Sequence, residues 1–101
     1  MNLKEGSTLY ARIDYKIGDN QETEQDVLDC MEYLQSIAKE RYLVAGVFGN
    51  MDMEEMDGAM ILFEANDLEQ AQEIANGDPL IQRGFYDCKV YQWNIMFLTN
   101  N

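Results

Sequence analysis

Four side chains stand out for the chemistry their types allow: Asp78, Cys30, Arg12 and Tyr86. An aspartate held near the mouth of a cleft and partly desolvated serves as a general acid or base, and Asp78 is the leading residue for that role. The step Asp78-Pro79 has a second reading, because Asp followed by Pro is a natural N-cap and first helical residue. The two roles coexist only if one carboxylate oxygen stays free. Cys30 would act as a nucleophile or redox thiol if a nearby cation or helix N-terminus lowered its pKa. It lies instead on an apolar stripe among acidic neighbours, which raises a thiol pKa, so it reads as core filling. Cys88, just before the last apolar row, reads the same way. Arg12 alternates onto one strand face with Tyr10 and Asp14. Its planar fork suits a carboxylate-bearing ligand. The simpler reading is an ion pair on the sheet face or a contact across a dimer. Tyr86 and Tyr91 offer hydroxyl donors, with packing as the competing role.

Much chemistry is excluded at once. The chain has no histidine, so histidine bases, histidine metal sites and Ser-His or Cys-His pairs are absent. The segment Asn50 to Asp57 gathers Asp52, Glu54, Glu55 and Asp57 among Met51, Met53 and Met56. Clustered carboxylates hold Ca²⁺ or Mg²⁺, but a methionine occupies a ligand position and no glutamate closes the loop. A solvated loop is the better reading, and no metal or organic cofactor is implied. Seven basic residues against nineteen acidic ones give a net charge of -12, which repels phosphate backbones and anionic membranes. Two cysteines without a C-x-x-C pair make no disulfide framework and read as free thiols in a reducing compartment. The start of the chain lacks a signal-peptide core, and no apolar run approaches the roughly 20 residues that span a bilayer. The expected location is the cytoplasm.

The elements that must position these residues follow from periodicity. Thr8 to Ile17 alternates, with Leu9, Ala11, Ile13, Tyr15 and Ile17 on the face expected to be buried. From about Glu22 to Arg41 the period becomes helical, with Val27, Cys30, Met31, Leu34, Ile37 and Ala38 on one stripe. Leu43 to Phe48 reads as a strand apolar on both faces, Gly49 to Asp57 as a loop, and Gly58 to Ala65 as a further strand. Asn66 caps a second helix, with Glu69 completing a capping-box pattern and Asn76-Gly77 ending it. Asp78-Pro79 opens a helical turn through Arg83. A last strand runs from about Phe85 to Leu98, with Tyr91, Trp93, Ile95 and Phe97 in an apolar row.

The order β-α-β-β-α-β in 101 residues predicts one α+β domain over residues 1–101. Its fold class is ferredoxin-like, an antiparallel sheet with two helices on one face. Two helices cover only one sheet face, yet the second and third strands are apolar on both. At roughly 25 cal/mol per Å² the uncovered face favours a second copy, sheet against sheet, so a homodimer is expected.

The second half of the chain also resembles a known family. Gly58-Ala59-Met60-Ile61-Leu62-Phe63-Glu64-Ala65 followed by Asn66-Asp67-Leu68-Glu69-Gln70-Ala71 resembles the third strand and second helix of the YCII-related family. Asp78 to Tyr86 is similar to that family's D-P-x-x-x-x-G-x-Y segment. Tyr33-Leu34-Gln35 and Leu43-Val44-Ala45-Gly46 resemble its first helix and Gly-ended second strand. The resemblance implies a dimeric α/β barrel, a fold shared with muconolactone isomerases and small monooxygenases. It also implies an acid-base pair of a histidine on the first helix and the aspartate of the D-P segment. Aligned without gaps through Tyr33-Leu34, Cys30 stands at the histidine's position, while Asp78 is present.

Three functions compete on these grounds. The first is a homodimer that binds a small molecule in a pocket between sheet and helices, without histidine-based catalysis. The second is an isomerase, lyase or cofactor-free oxygenase with Asp78 as its acid-base group. The third is a structural or interaction module. A pocket lined by Asp78, Tyr86 and Arg12 would favour the second, and a filled interior the third.

Overall fold

The computed structural model describes residues 5–50 and 58–99. The acidic residues Asp52, Glu54, Glu55 and Asp57 lie outside them. The elements are β1 (Thr8–Lys16), α1 (Glu24–Ala38), β2 (Leu43–Val47), β3 (Ala59–Phe63), α2 (Leu68–Asn76), α3 (Pro79–Gln82) and β4 (Tyr86–Asn94). The strands form one four-stranded sheet in the order β2-β3-β1-β4, antiparallel throughout. This is the ferredoxin-like arrangement the periodicity implies.

Local chemistry sets the helix ends. Thr23 caps α1: its side chain accepts from the backbone N–H of Asp26, and the Asp26 carboxylate accepts from the N–H of Thr23. The cap of α2 falls one residue later than the sequence pattern suggests. Asp67, not Asn66, accepts from the N–H of Gln70, while the Gln70 side chain accepts from the N–H of Asn66 at 2.7 Å. Gln70 thus stands at the third helical position expected for Glu69, but its side chain accepts from the residue before the cap and not from the cap itself, which is not the reciprocal bond of a capping box. Ala71 and Ala75 are fully buried. Their small side chains let α2 lie close to the sheet. Tyr33 on α1 donates its hydroxyl to the carbonyl of Ile74 on α2 at 2.7 Å. That hydroxyl fills the space where a Cβ at Gly77 would stand.

The core sits between the sheet and the helices. Tyr10, Ile61 and Phe63 from the sheet meet Cys30 and Leu34 from α1 and Ala71 from α2. Here the structure corrects the expected sides of β1. The row Tyr10, Arg12 and Asp14 pairs with Phe63, Ile61 and Ala59 across the ladder and therefore faces the helices. Arg12 and Asp14 are 2% and 6% exposed. The apolar row from Leu9 to Tyr15 takes the opposite face. That face is not fully covered: Tyr15, Val44, Met60, Tyr91 and Trp93 each remain more than a third exposed. The physical reason is that Arg12 finds two carboxylates beneath the helices, so a charged row can be buried there.

β4 is also shorter than expected. Tyr91 and Trp93 share the open face, and the strand ends at Asn94. The N–H of Ile95 donates to the carbonyl of Ser7 and its carbonyl accepts from Gly6, so the pairing with the residues before β1 continues after the strand stops. Ile95 is buried, whereas Met96 and Phe97 are 86% and 81% exposed. The expected row of four therefore divides.

Gly58 opens β3 at φ +129, and a Cβ there would run into the carbonyl of Asp14. Its missing side chain lets β3 close on β1 beside Asp14. Gly58→Ala adds both a strained φ and a backbone clash. It should destabilise the protein by on the order of 2–4 kcal/mol in urea unfolding, far more than a Gly→Ala change at the open position Gly46.

Candidate functional site

The site is built outward from Arg12. Its Nε donates to Asp14 Oδ1 at 2.7 Å and its Nη2 to Asp14 Oδ2 at 2.9 Å, a two-pronged pair within one strand. Nη2 also reaches Asp78 Oδ2 at 2.8 Å. Asp78 is fully buried. Its Oδ1 accepts from the N–H of Leu80 at 2.9 Å, so it caps α3 with Pro79 in the first helical turn. Its Oδ2 also receives the thiol of Cys30 at 3.3 Å. Both oxygens of Asp78 are therefore engaged. β1, α1 and the start of α3 are tied together through one guanidinium and two carboxylates.

Burial sets the protonation of this group. Burial first, then the charge and hydrogen bond of Asp78, push the Cys30 thiol up to about 12, against the opposing pull of Arg12. The thiol donates to Asp78 in its neutral form, whereas a nucleophile needs the thiolate. Burial also raises the Asp14 carboxyl above its ordinary range, although Arg12 draws it down. Burial disfavours the charge on Arg12, but the hydrogen bonds and charges of Asp14 and Asp78 outweigh it and hold the guanidinium ionised.

Between α1 and the sheet lies a cleft of about 310 Å³. Its walls are mainly apolar, with Val27, Met31 and Leu34 on the helix side and Ala45, Ala59 and Ile61 on the sheet side. Four groups bring polarity to it: Asp14, Glu22, Cys30 and Tyr86. Tyr86 donates its hydroxyl to Glu22 Oε1 at 3.2 Å, and Lys16 Nζ meets Glu22 Oε2 at 3.0 Å. Lys16 also sits 5.1 Å from the centre of the Tyr86 ring.

Of the residues singled out in the sequence, Cys30 and Tyr86 line this cleft. Arg12 and Asp78 do not; they lie behind Asp14 and Cys30. The ion pair read for Arg12 exists, but under the helices. Cys88 is half-buried on β4 and is a free thiol, as is Cys30. The sequence reading underrated Asp14 and passed over Glu22. Asp14 carried a signal, since its alternation with Tyr10 and Arg12 put it on their face; Glu22 carried none. Among the described residues, no group of three or more acidic or thiol side chains could hold a metal ion.

The model of the YCII-related domain matches residues 8–94. The chain belongs to the YCII-related family. In this YCII-related chain Cys30 and Asp78 touch. Among solved structures it is similar to a 5-chloro-2-hydroxyhydroquinone dehydrochlorinase, TftG, from Burkholderia phenoliruptrix AC1100, in complex with 2,5-dihydroxybenzoquinone. The TM-score is 0.61 at 15% identity, covering 85% of this chain and 93% of the other. At that identity the likeness is one of fold. No curated protein matches the chain. No helix among the described residues is long and apolar enough to cross a membrane.

Three expectations follow. Asp78→Asn should not be silent, because an amide supplies one acceptor where the structure uses two. Either the Leu80 cap or the Arg12 contact is lost, at a cost of about 1–3 kcal/mol in chemical unfolding. Arg12→Met should cost roughly 3–5 kcal/mol, since it strands two buried carboxylates. In the native protein at pH 8, Cys30 should resist iodoacetamide until denaturant is added; rapid native labelling would contradict a thiol held near 12.

Proposed function

We propose that this YCII-related chain is a homodimer that binds a small molecule in the cleft between α1 and the sheet, without histidine-based catalysis. The observation that carries this reading is the cleft itself. It has the volume of a small-ligand site, apolar walls, and a few convergent polar groups on one side. A filled interior would have favoured a structural module. The dimer is supported by the open sheet face, where Val44, Met60, Tyr91 and Trp93 form an apolar surface that a second copy would cover. A location in the cytoplasm agrees with the two free thiols.

A second reading, an acid-base enzyme, is favoured by one observation. Asp14 lines the cleft and burial has raised its affinity for a proton. A carboxylate so placed could accept a proton from a bound substrate, with Arg12 holding its orientation. The base in this reading is Asp14 and not Asp78, whose oxygens are both occupied. The dehydrochlorinase of similar fold makes a small hydroxylated ring a reasonable starting substrate class, by analogy of fold only.

A small-fragment screen followed by backbone amide shifts tests the binding reading. Bound fragments should move Asp14, Cys30, Ala59 and Ile61 together. Ala45→Trp, on the edge strand β2, should block the cleft and abolish those shifts while the protein remains folded. Fragments that bind equally well to the blocked variant would refute the site. The solution mass should be that of a dimer, and Trp93→Glu should yield monomer.

A further inference from the structure

The charges around the cleft do not balance, and this bears on what it holds. The inference rests on the cleft being the binding site. Of the charged side chains lining or backing it, the cations are Arg12 and Lys16, and the anions are Asp14, Asp78 and Glu22. One negative charge is left uncompensated. Arg12 spends Nε and Nη2 on Asp14 and Asp78. Lys16 spends its ammonium on Glu22 and on the carbonyl of Asn20. Both carboxylates that line the cleft keep acceptor capacity. A carboxylate has about four lone-pair sites, and the described contacts to Asp14 are two bonds from Arg12. Asp14 presents that remaining capacity among apolar walls, where charge interactions are stronger than in water.

We propose that the cleft selects small molecules carrying one positive charge on an apolar body, a primary ammonium above all, over uncharged and anionic molecules of the same shape. The ammonium would lie against Asp14 with Glu22 within reach, and its apolar part against Met31, Leu34, Ala59 and Ile61. An anion there would face two carboxylates, with both nearby cations already engaged. An uncharged alcohol could donate one hydrogen bond but would leave the excess charge in place.

Benzylamine, benzyl alcohol and benzoate share one shape and differ in charge, so they serve as probes. Each is titrated into the full chain at pH 7 and followed by the amide shifts of Asp14, Cys30, Ala59 and Ile61. Benzylamine should bind roughly tenfold more tightly than benzyl alcohol, and benzoate should not bind. Glu22→Gln leaves the Arg12 cluster intact, so it should fold, and it should reduce the amine preference several-fold. Asp14→Asn, if it folds, should bring the amine and alcohol level. Benzoate or benzyl alcohol binding as tightly as benzylamine would overturn the charge selection and leave the cleft as a binding site. If none of the three moves those amides, both the selection and the binding site are refuted. A Glu22→Gln variant with an unchanged amine preference would also overturn the selection.

Discussion

The structure turns on a single buried guanidinium. Arg12 is almost fully covered by the helices, and a charge in that position is tolerated only when its partners come with it. One partner, Asp14, is two residues away on the same strand and needs no tertiary structure to be near. The other, Asp78, comes from the far end of the sequence and arrives only when α2 and α3 are in place. The Arg12–Asp78 contact therefore reports the complete fold: β1 central in the sheet, α2 laid across it, and α3 opened at the correct residue. Cys30 adds α1 to the same group through its thiol. A buried ion cluster of this kind need not raise stability above that of an apolar core. Its effect is to penalise arrangements that separate its members.

The cluster also explains why a cleft can exist on the same side as the core. Toward α2 the sheet is covered by Ala71 and Ala75, which are small enough for close packing. Toward β2 the sheet presents Ala45, Val47 and Ala59, and the facing part of α1 presents Val27 and Met31, both still partly open. Tight packing at one end and open apolar walls at the other leave Asp14 at the boundary, held from behind by Arg12 and open in front. A side chain fixed by two hydrogen bonds from a rigid planar donor has little orientation left to lose on meeting a ligand. The sheet that fixes Arg12 thus also pre-orients the carboxylate of the cleft.

Much of this was readable in the residues, and the failures have identifiable causes. The switch between periods of two and three-to-four residues gave the element order and the ferredoxin-like class, because those periods arise from backbone geometry alone. Asp78-Pro79 correctly announced a cap for the same reason. The sides of β1 were misjudged because alternation reveals which residues share a face but not which face the helices take. Hydropathy alone put Leu9 to Ile17 inward. The decisive term was neutralisation of Arg12 by Asp78, sixty-six positions away, which no local window contains. The one-residue shift of the α2 cap has a smaller cause: Asn and Asp both cap well, and Asn66 and Asp67 stand side by side. Asp78 looked reactive because the sequence shows a carboxylate without showing that both its oxygens are used.

These points bear on how one fold carries different chemistry. At the contact between α1 and the D-P segment, a group that changes charge near neutral pH would be a proton relay. Burial and Asp78 push the Cys30 thiol the other way, up to about 12. With Cys30 neutral and Asp78 bound to both Arg12 and Leu80, this pair is a fixed structural hydrogen bond. The electrostatic interest moves one residue pair along β1, to Asp14, which shares the guanidinium but faces the cleft. The Arg12 fork couples the two carboxylates, so altering the charge on either changes what the other experiences. In the proposed binding reading, the excess negative charge of the cluster reaches a ligand through Asp14, the member that lines the cleft.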